Sequence, residues 1–134
     1  GPQGFQGRQG VIGAQGFTGA SGGSGFTGSS GINTIPISGV TKTTGYTLTV
    51  GDIGDTVVVG AGGSITIPNS TFAAGDTVSI YNSHTNTINI TCSTTSAVVA
   101  GFVTNRTSVT MTVKGFATIW FQSATSCVIM GNIY

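Results

Sequence analysis

Charge is almost missing from this chain. Of 134 residues, Arg8, Lys42, Arg106 and Lys114 are basic and Asp52, Asp55 and Asp76 are acidic, and glutamate does not occur. A general acid/base pair or a metal cluster needs several titratable groups held together. Three aspartates and one histidine, His84, leave few ways to build such a site, so the composition argues against an enzyme, and no catalytic set, metal or other cofactor is assigned. Polyanion binding draws on clustered Lys and Arg, and four basic side chains spread from position 8 to position 114 form no patch. Nucleic acid is therefore not an expected partner. Long apolar runs are missing as well: nothing approaches the ~18 residues of a membrane span, and the start lacks the basic-then-apolar layout of a secretion signal. No run carries apolar residues at helical spacing over helical length. An initiator Met is also missing, and the chain opens inside a repeat, so it is read as the ordered end of something longer.

Glycine is abundant, and in the first third it keeps strict register. Gly1, Gly4, Gly7, Gly10, Gly13, Gly16, Gly19, Gly22, Gly25, Gly28 and Gly31 fall on every third position, giving ten uninterrupted Gly-X-Y triplets over residues 1–30. This is the period of the collagen triple helix, where three polyproline-II-like chains share an axis that admits only a hydrogen atom. A flexible Gly/Ser linker would be glycine-rich without holding the frame. Pro2 is the only proline in the repeat and none occupies Y, so imino-acid rigidity is missing and the rod is marginal by itself. Gln3, Gln6, Gln9, Gln15, Thr18, Ser21, Ser24, Thr27 and Ser30 fill Y, with Ile12 as the apolar exception, and these polar side chains can bond to neighbouring chains or water. Phe5, Phe17 and Phe26 recur at X, where side chains point outward and pack along adjacent chains. Residues 19–23 match the G-x-S-x-G nucleophile elbow and residues 23–28 match G-x-G-x-x-G. Both motifs need a strand, a turn and a helix around them, which a triple helix cannot supply, so neither carries chemistry.

After Gly31 the frame ends, and residues 32–44 read as a neck containing Pro36 and Gly39. Residues 45–134 read as an all-β head. Runs rich in Val, Ile and Thr over residues 46–50, 56–59, 64–68, 76–81, 87–92, 97–101, 108–113, 116–121 and 127–133 suit a pleated surface, and turn residues separate them. About nine strands in some 90 residues mean a β-sandwich, jelly roll or small barrel. A head of this size buries only about two-thirds of its unfolded surface and is marginal alone. A homotrimer hides apolar strand faces and holds three chains in register for the rod, which then zips from Gly31 toward Gly1.

Few side chains stand out as sites. Asp52 and Asp55 flank a turn, and without the D-x-D-x-D-G spacing of a calcium loop they read, with Asp76, as turn formers. Cys92 and Cys127 pair if their strands are neighbours, or remain buried free thiols; both readings stay open. Asn69, Asn89 and Asn105 open N-x-S/T sequons, which matter only in a glycosylating compartment. Phe116, Trp120 and Phe121 are assigned to the core, yet Trp120 alternates with Ile119 and Phe121, so one set must face outward or into a subunit contact. An outward Trp120 can stack on a sugar ring. Candidate receptor or glycan contacts are Trp120, His84, Asn86 and Arg106, carried by a strand and by the loops over residues 82–86 and 104–107, with residues 60–63 as a further exposed loop.

A Gly-X-Y stalk without Y-position proline, leading into a Thr/Ser/Gly-rich β head, resembles the collagen-like fibre proteins of bacteriophages. The stretches GDIGDTVVVGAGGSITIPNSTFAAGDTVSIYN, SVTMTVKGFATIWFQ and CVIMGNIY are similar to C-terminal domains of predicted virion proteins of marine phages, over residues 45–134. The resemblance implies a homotrimeric virion fibre, tail-associated or capsid-mounted, anchored to other virion proteins on its N-terminal side, with the head outward. It supplies no catalytic or binding residues. A bacterial or spore-surface collagen-like filament, structural or adhesive, shares the same plan. Substituting Gly16→Ala is expected to lower the triple-helical melt followed by circular dichroism and leave the head trimeric; a monomeric head would reverse the folding order argued above.

Overall fold

The computed structural model describes residues 34–134. The proposed stalk of residues 1–31 and the first neck residues lie outside them. Within the unit Ile35–Tyr134, the strands are β1 Gly45–Thr47, β2 Thr56–Val59, β3 Ser64–Ile67, β4 Thr77–Asn82, β5 Ile88–Cys92, β6 Ser96–Val99, β7 Ser108–Met111, β8 Phe116–Ser123 and β9 Ser126–Gly131. A single 3-10 turn, Val50–Asp52, is the one helical element among the described residues. The head is therefore all β, and its strands follow the alternating and β-branched runs of the sequence closely.

The strands form two sheets, ordered β1-β3-β5-β7 and β2-β4-β8-β9-β6. From β1 to β8 the chain passes from one sheet to the other at every step, and only β8 and β9 are sequence neighbours that pair. This winding has a consequence for direction. A strand that returns to its own sheet after one traverse of the opposite sheet can pair parallel with the strand it left, without needing a crossover helix. β1/β3, β3/β5 and β2/β4 do so; β6/β9 is also parallel, whereas β4/β8, β8/β9 and β5/β7 are antiparallel, so the passage through β6 to β7 reverses direction. The sandwich expectation holds. The mixed pairing departs from the antiparallel Greek keys of a jelly roll, and the difference lies in that sheet-to-sheet alternation.

Strand pleating sends alternate residues to opposite faces. Val57, Val59, Val78, Ile80, Ala97, Val99, Ala117, Ile119, Phe121, Cys127 and Ile129 of the five-stranded sheet meet Leu48, Ile65, Ile67, Ile88, Ile90, Cys92, Val109 and Met111 from the other layer in one apolar core. Phe72, from the loop after β3, closes it by stacking on Phe121 with ring centroids 4.2 Å apart. The assignment of all three aromatics of β8 to the core needs correcting. Phe121 is buried, but Phe116 and Trp120 share the opposite parity and lie on the outer face.

One edge of each sheet receives extra chain. Neck residues run beside β2, with Ile37 opposite Thr56 and Lys42 opposite Val59. Ser38 and Lys42 donate their N–H groups to the carbonyls of Thr56 and Val58, and Gly39, at φ +62°, absorbs the bulge between the two bridges. At the other sheet the C-terminal residues pair with β7, Thr110 and Tyr134 exchanging both backbone hydrogen bonds. The expected strand at 46–50 stops at Thr47: Leu48 still bonds to Thr66, and then the chain tightens into the 3-10 turn. Removing the buried Ile119 side chain as Ile119→Ala is expected to cost about 2–5 kcal/mol in denaturant unfolding. Thr91→Ala, on the exposed face of β5, is expected to stay within roughly 0.5 kcal/mol.

Candidate functional site

The four candidate contact residues do not converge. His84 and Asn86 share the loop after β4, and the chain builds that loop around a side chain not singled out from the sequence. Asn82 is fully buried at the inward end of β4, where it donates to the carbonyls of Asn86 (2.8 Å) and Thr112 (2.9 Å) and accepts the His84 N–H (2.9 Å). Every polar atom of its amide is thereby used, as burial requires. The Asn86 amide lies 3.3 Å from His84 Nε2, and Lys114 donates to the neighbouring Ser83 carbonyl. Trp120 belongs elsewhere. It pairs with Thr77 at the opposite end of β4, five residues or about 16 Å along the strand. The neck passes close to the loop at 60–63, where a Cβ at Gly62, itself at φ +84°, would lie 2.8 Å from the Thr43 carbonyl, while Ala61 and Gly62 remain exposed.

Arg106 lines an opening where β6, the edge of one sheet, faces the C-terminal segment added to the other. Asn105 secures this loop by accepting the Ala97 N–H (2.6 Å), while the Arg106 N–H donates to the Ala97 carbonyl (2.7 Å). The opening holds about 200 Å³ between Val99, Phe102, Arg106, Ile133 and Tyr134. That is below the ~300–1,000 Å³ of pockets that engulf a drug-sized ligand, so it suits one ring or one side chain. Phe102 and Tyr134 are strongly exposed there, and Arg106 contributes five donors on a planar fork. Apolar ring faces beside a guanidinium suit a sugar, whose C–H faces stack and whose hydroxyl or carboxylate groups accept. Phe102 and Tyr134 were missed from the sequence because nothing local indicates that they meet.

Asp52 is the turn former expected, capping the 3-10 turn through the Thr49 N–H, and it reaches beyond the turn as well. Its carboxylate is 1% exposed and accepts from the Ser38 hydroxyl, the Tyr46 hydroxyl (2.8 Å), the Thr49 N–H (2.8 Å) and the Thr49 hydroxyl (3.4 Å). Burial pushes this carboxyl up, but the hydrogen bonds from Ser38, Thr49 and Tyr46 outweigh it and hold it below the ordinary carboxylate value. Burial and the bond to Asp52 in turn push the Tyr46 hydroxyl up, and the Lys42 ammonium sits 4.2 Å over the Tyr46 ring. Ser38 and Lys42 belong to the neck, so the carboxylate fastens the neck to the sandwich. Asp76 is used locally, accepting the Ala73 N–H at 2.8 Å.

The two cysteines face inward from opposing sheets, unpaired and buried. Burial, reinforced by Cys127 and opposed by Arg106, pushes the Cys92 thiol up to about 11, and burial likewise raises Cys127 despite a contact with the Thr94 hydroxyl. Such thiols are poor nucleophiles. Among the described residues no three His, Cys, Asp or Glu side chains gather in a way that would hold a metal ion.

The chain matches no protein-family model, no curated protein and no solved structure.

The Asp52 junction has a testable pH signature. A carboxyl lowered by folding stabilises fully above its ordinary value of 3.8 and loses that contribution as pH falls through the lower folded value. Thermal unfolding is expected to show this acid-side loss, and Asp52→Asn is expected to abolish it while lowering stability at pH 7 by about 2–3 kcal/mol.

Proposed function

We propose that the chain is a homotrimeric fibre protein of a virion, tail-associated or capsid-mounted. In this reading a collagen-type stalk leads to a β head at the particle surface, and the head meets host-surface glycan. The observation that carries it is the unbroken glycine frame of residues 1–31 placed directly ahead of an all-β unit. Glycine at every third position serves the crowded axis of three wound chains. A marginal, proline-poor rod then needs a partner domain to bring its three strands together at high effective concentration.

Surface chemistry supports an adhesive rather than a catalytic head. The outer face of the four-stranded sheet carries Thr47, Ser64, Thr66, Asn89, Thr91, Ser108 and Thr110, a hydroxyl and amide surface soluble without charge. The opening at Arg106, Phe102 and Tyr134 offers stacking and donors to a single sugar ring. Asp52, by contrast, has its carboxylate committed to neck and turn donors. Three weak sites on one particle-borne trimer suit reversible adsorption to a repetitive surface.

The test is light scattering on the full chain, followed by binding of the labelled protein to bacterial envelopes before and after periodate oxidation of their sugars. The expected mass is three times the 13.3 kDa chain. Binding is expected to fall on oxidation and to drop about tenfold or more with Arg106→Ala, since three sites weaken together. A monomer or dimer refutes the fibre; a trimer whose binding ignores periodate refutes the glycan partner.

A further inference from the structure

The two sheets of the head have opposite outer surfaces. Their strands are alike in carrying no charged residue. Hydroxyls and one amide cover the four-stranded sheet, as described above. On the five-stranded sheet, register places Thr77, Trp120, Val128 and Val98 in one row across β4, β8, β9 and β6. The next row is Thr56, Ser79, Thr118 and Met130, in which Ser79 and Thr118 satisfy each other at 2.9 Å. A third row is Val58, Tyr81 and Phe116, the last two with ring centroids 6.5 Å apart. Trp120, Phe116 and Met130 are each close to 40% exposed in the single chain. Apolar and aromatic surface of this kind, with the central Ser79 and Thr118 hydroxyls spent on each other, marks an interface rather than a solvated face.

Neck geometry identifies the occupant. The neck bridges to β2, the edge strand of this same sheet, and Ile37 sits opposite Thr56, extending the middle row. Ile35, Ile37 and Val40 are 57%, 66% and 76% exposed, so the apolar surface continues along the neck. Any assembly of three Gly-X-Y chains gathers three necks, and with them three copies of this sheet edge. We propose that the outer face of the five-stranded sheet is the subunit interface of the head, buried against two further copies of this chain, with Trp120, Phe116, Met130 and Val128 at its centre. The inference rests on the three-chain reading above. It removes Trp120 from the receptor surface and leaves that role to the loops bearing His84, Asn86 and Arg106.

Trp120 is the only tryptophan in the chain, so its fluorescence reports this face directly. The experiment is acrylamide quenching of the full chain beside light scattering, for wild type, Phe116→Lys and Thr91→Lys, with far-ultraviolet circular dichroism to verify the β fold. Wild type is expected to be a trimer with Trp120 severalfold less quenchable than a free tryptophan amide. Phe116→Lys, which would bury an unpaired charge, is expected to weaken head association on the order of a hundredfold or more and expose Trp120. Thr91→Lys on the hydroxyl face is expected to change neither. A wild-type trimer in which Trp120 is freely quenched overturns the interface while leaving the fibre intact; this outcome needs no variant to fold. Protection of Trp120 that appears only on adding phosphatidylcholine vesicles assigns the face to a lipid surface and overturns it as well. A monomeric wild type overturns both readings.

Discussion

Strand pleating in a chain nearly free of charge is the constraint on which the rest of this head depends. Each strand gives one row of side chains to a shared core, and residues such as Val57, Ile80, Ile119 and Ile129 leave no apolar surface to spare on that side. The other row must face outward without help from Lys or Glu. Hydroxyl and amide groups take that place on the four-stranded sheet, whereas Trp120, Phe116 and Met130 stand on the outer face of the five-stranded one.

Alternate passage of the chain between the sheets makes that separation possible. Because each strand from β1 to β7 is followed by one in the opposite layer, neighbouring segments of sequence are sorted onto different outer surfaces. Ser64 and Thr66 of β3 lie on the hydroxyl face, whereas Tyr81 of the next strand, β4, lies on the aromatic one. The same winding puts the neck at the edge of the five-stranded sheet and the C-terminal residues at the edge of the four-stranded one. One edge of each sheet, which would otherwise offer unpaired backbone groups to a stray strand, is thus partly covered by the protein's own chain.

Polar groups do their work at joints rather than in a cleft. Asp52 gathers donors from the neck, β1 and the 3-10 turn; Asn82 gathers the carbonyls of two loops; Asn105 holds the loop that carries Arg106. All three are short side chains with several acceptor or donor positions, suited to replacing missing backbone partners where strands end. In the proposed fibre these joints transmit load between stalk and head and keep the His84 and Arg106 loops in fixed positions, which repeated weak contacts on a surface require.

Local pattern alone determined the strands, their turns and the glycine frame, because alternation, β-branching and positive-φ glycines act over a few residues. Thr56–Val59 and the 60–63 turn could be placed from the sequence to the residue for that reason. The run at 46–50 extends beyond the strand because the strand's end depends on Asp52, whose partner Ser38 lies fourteen residues away in the neck. Parallel pairing of Tyr46 with Ile65 and of Ile65 with Ile90 was equally out of reach, since alternation states that a residue faces inward without naming its neighbour. Parity likewise required that Trp120 or its neighbours face outward, and only tertiary structure decided which, by placing Ile119 and Phe121 against Phe72 and the opposing sheet. The outer rows, the Arg106 opening and the Asp52 joint are all made by residues far apart in sequence. Their chemistry exists only once the chain has wound both sheets around one core.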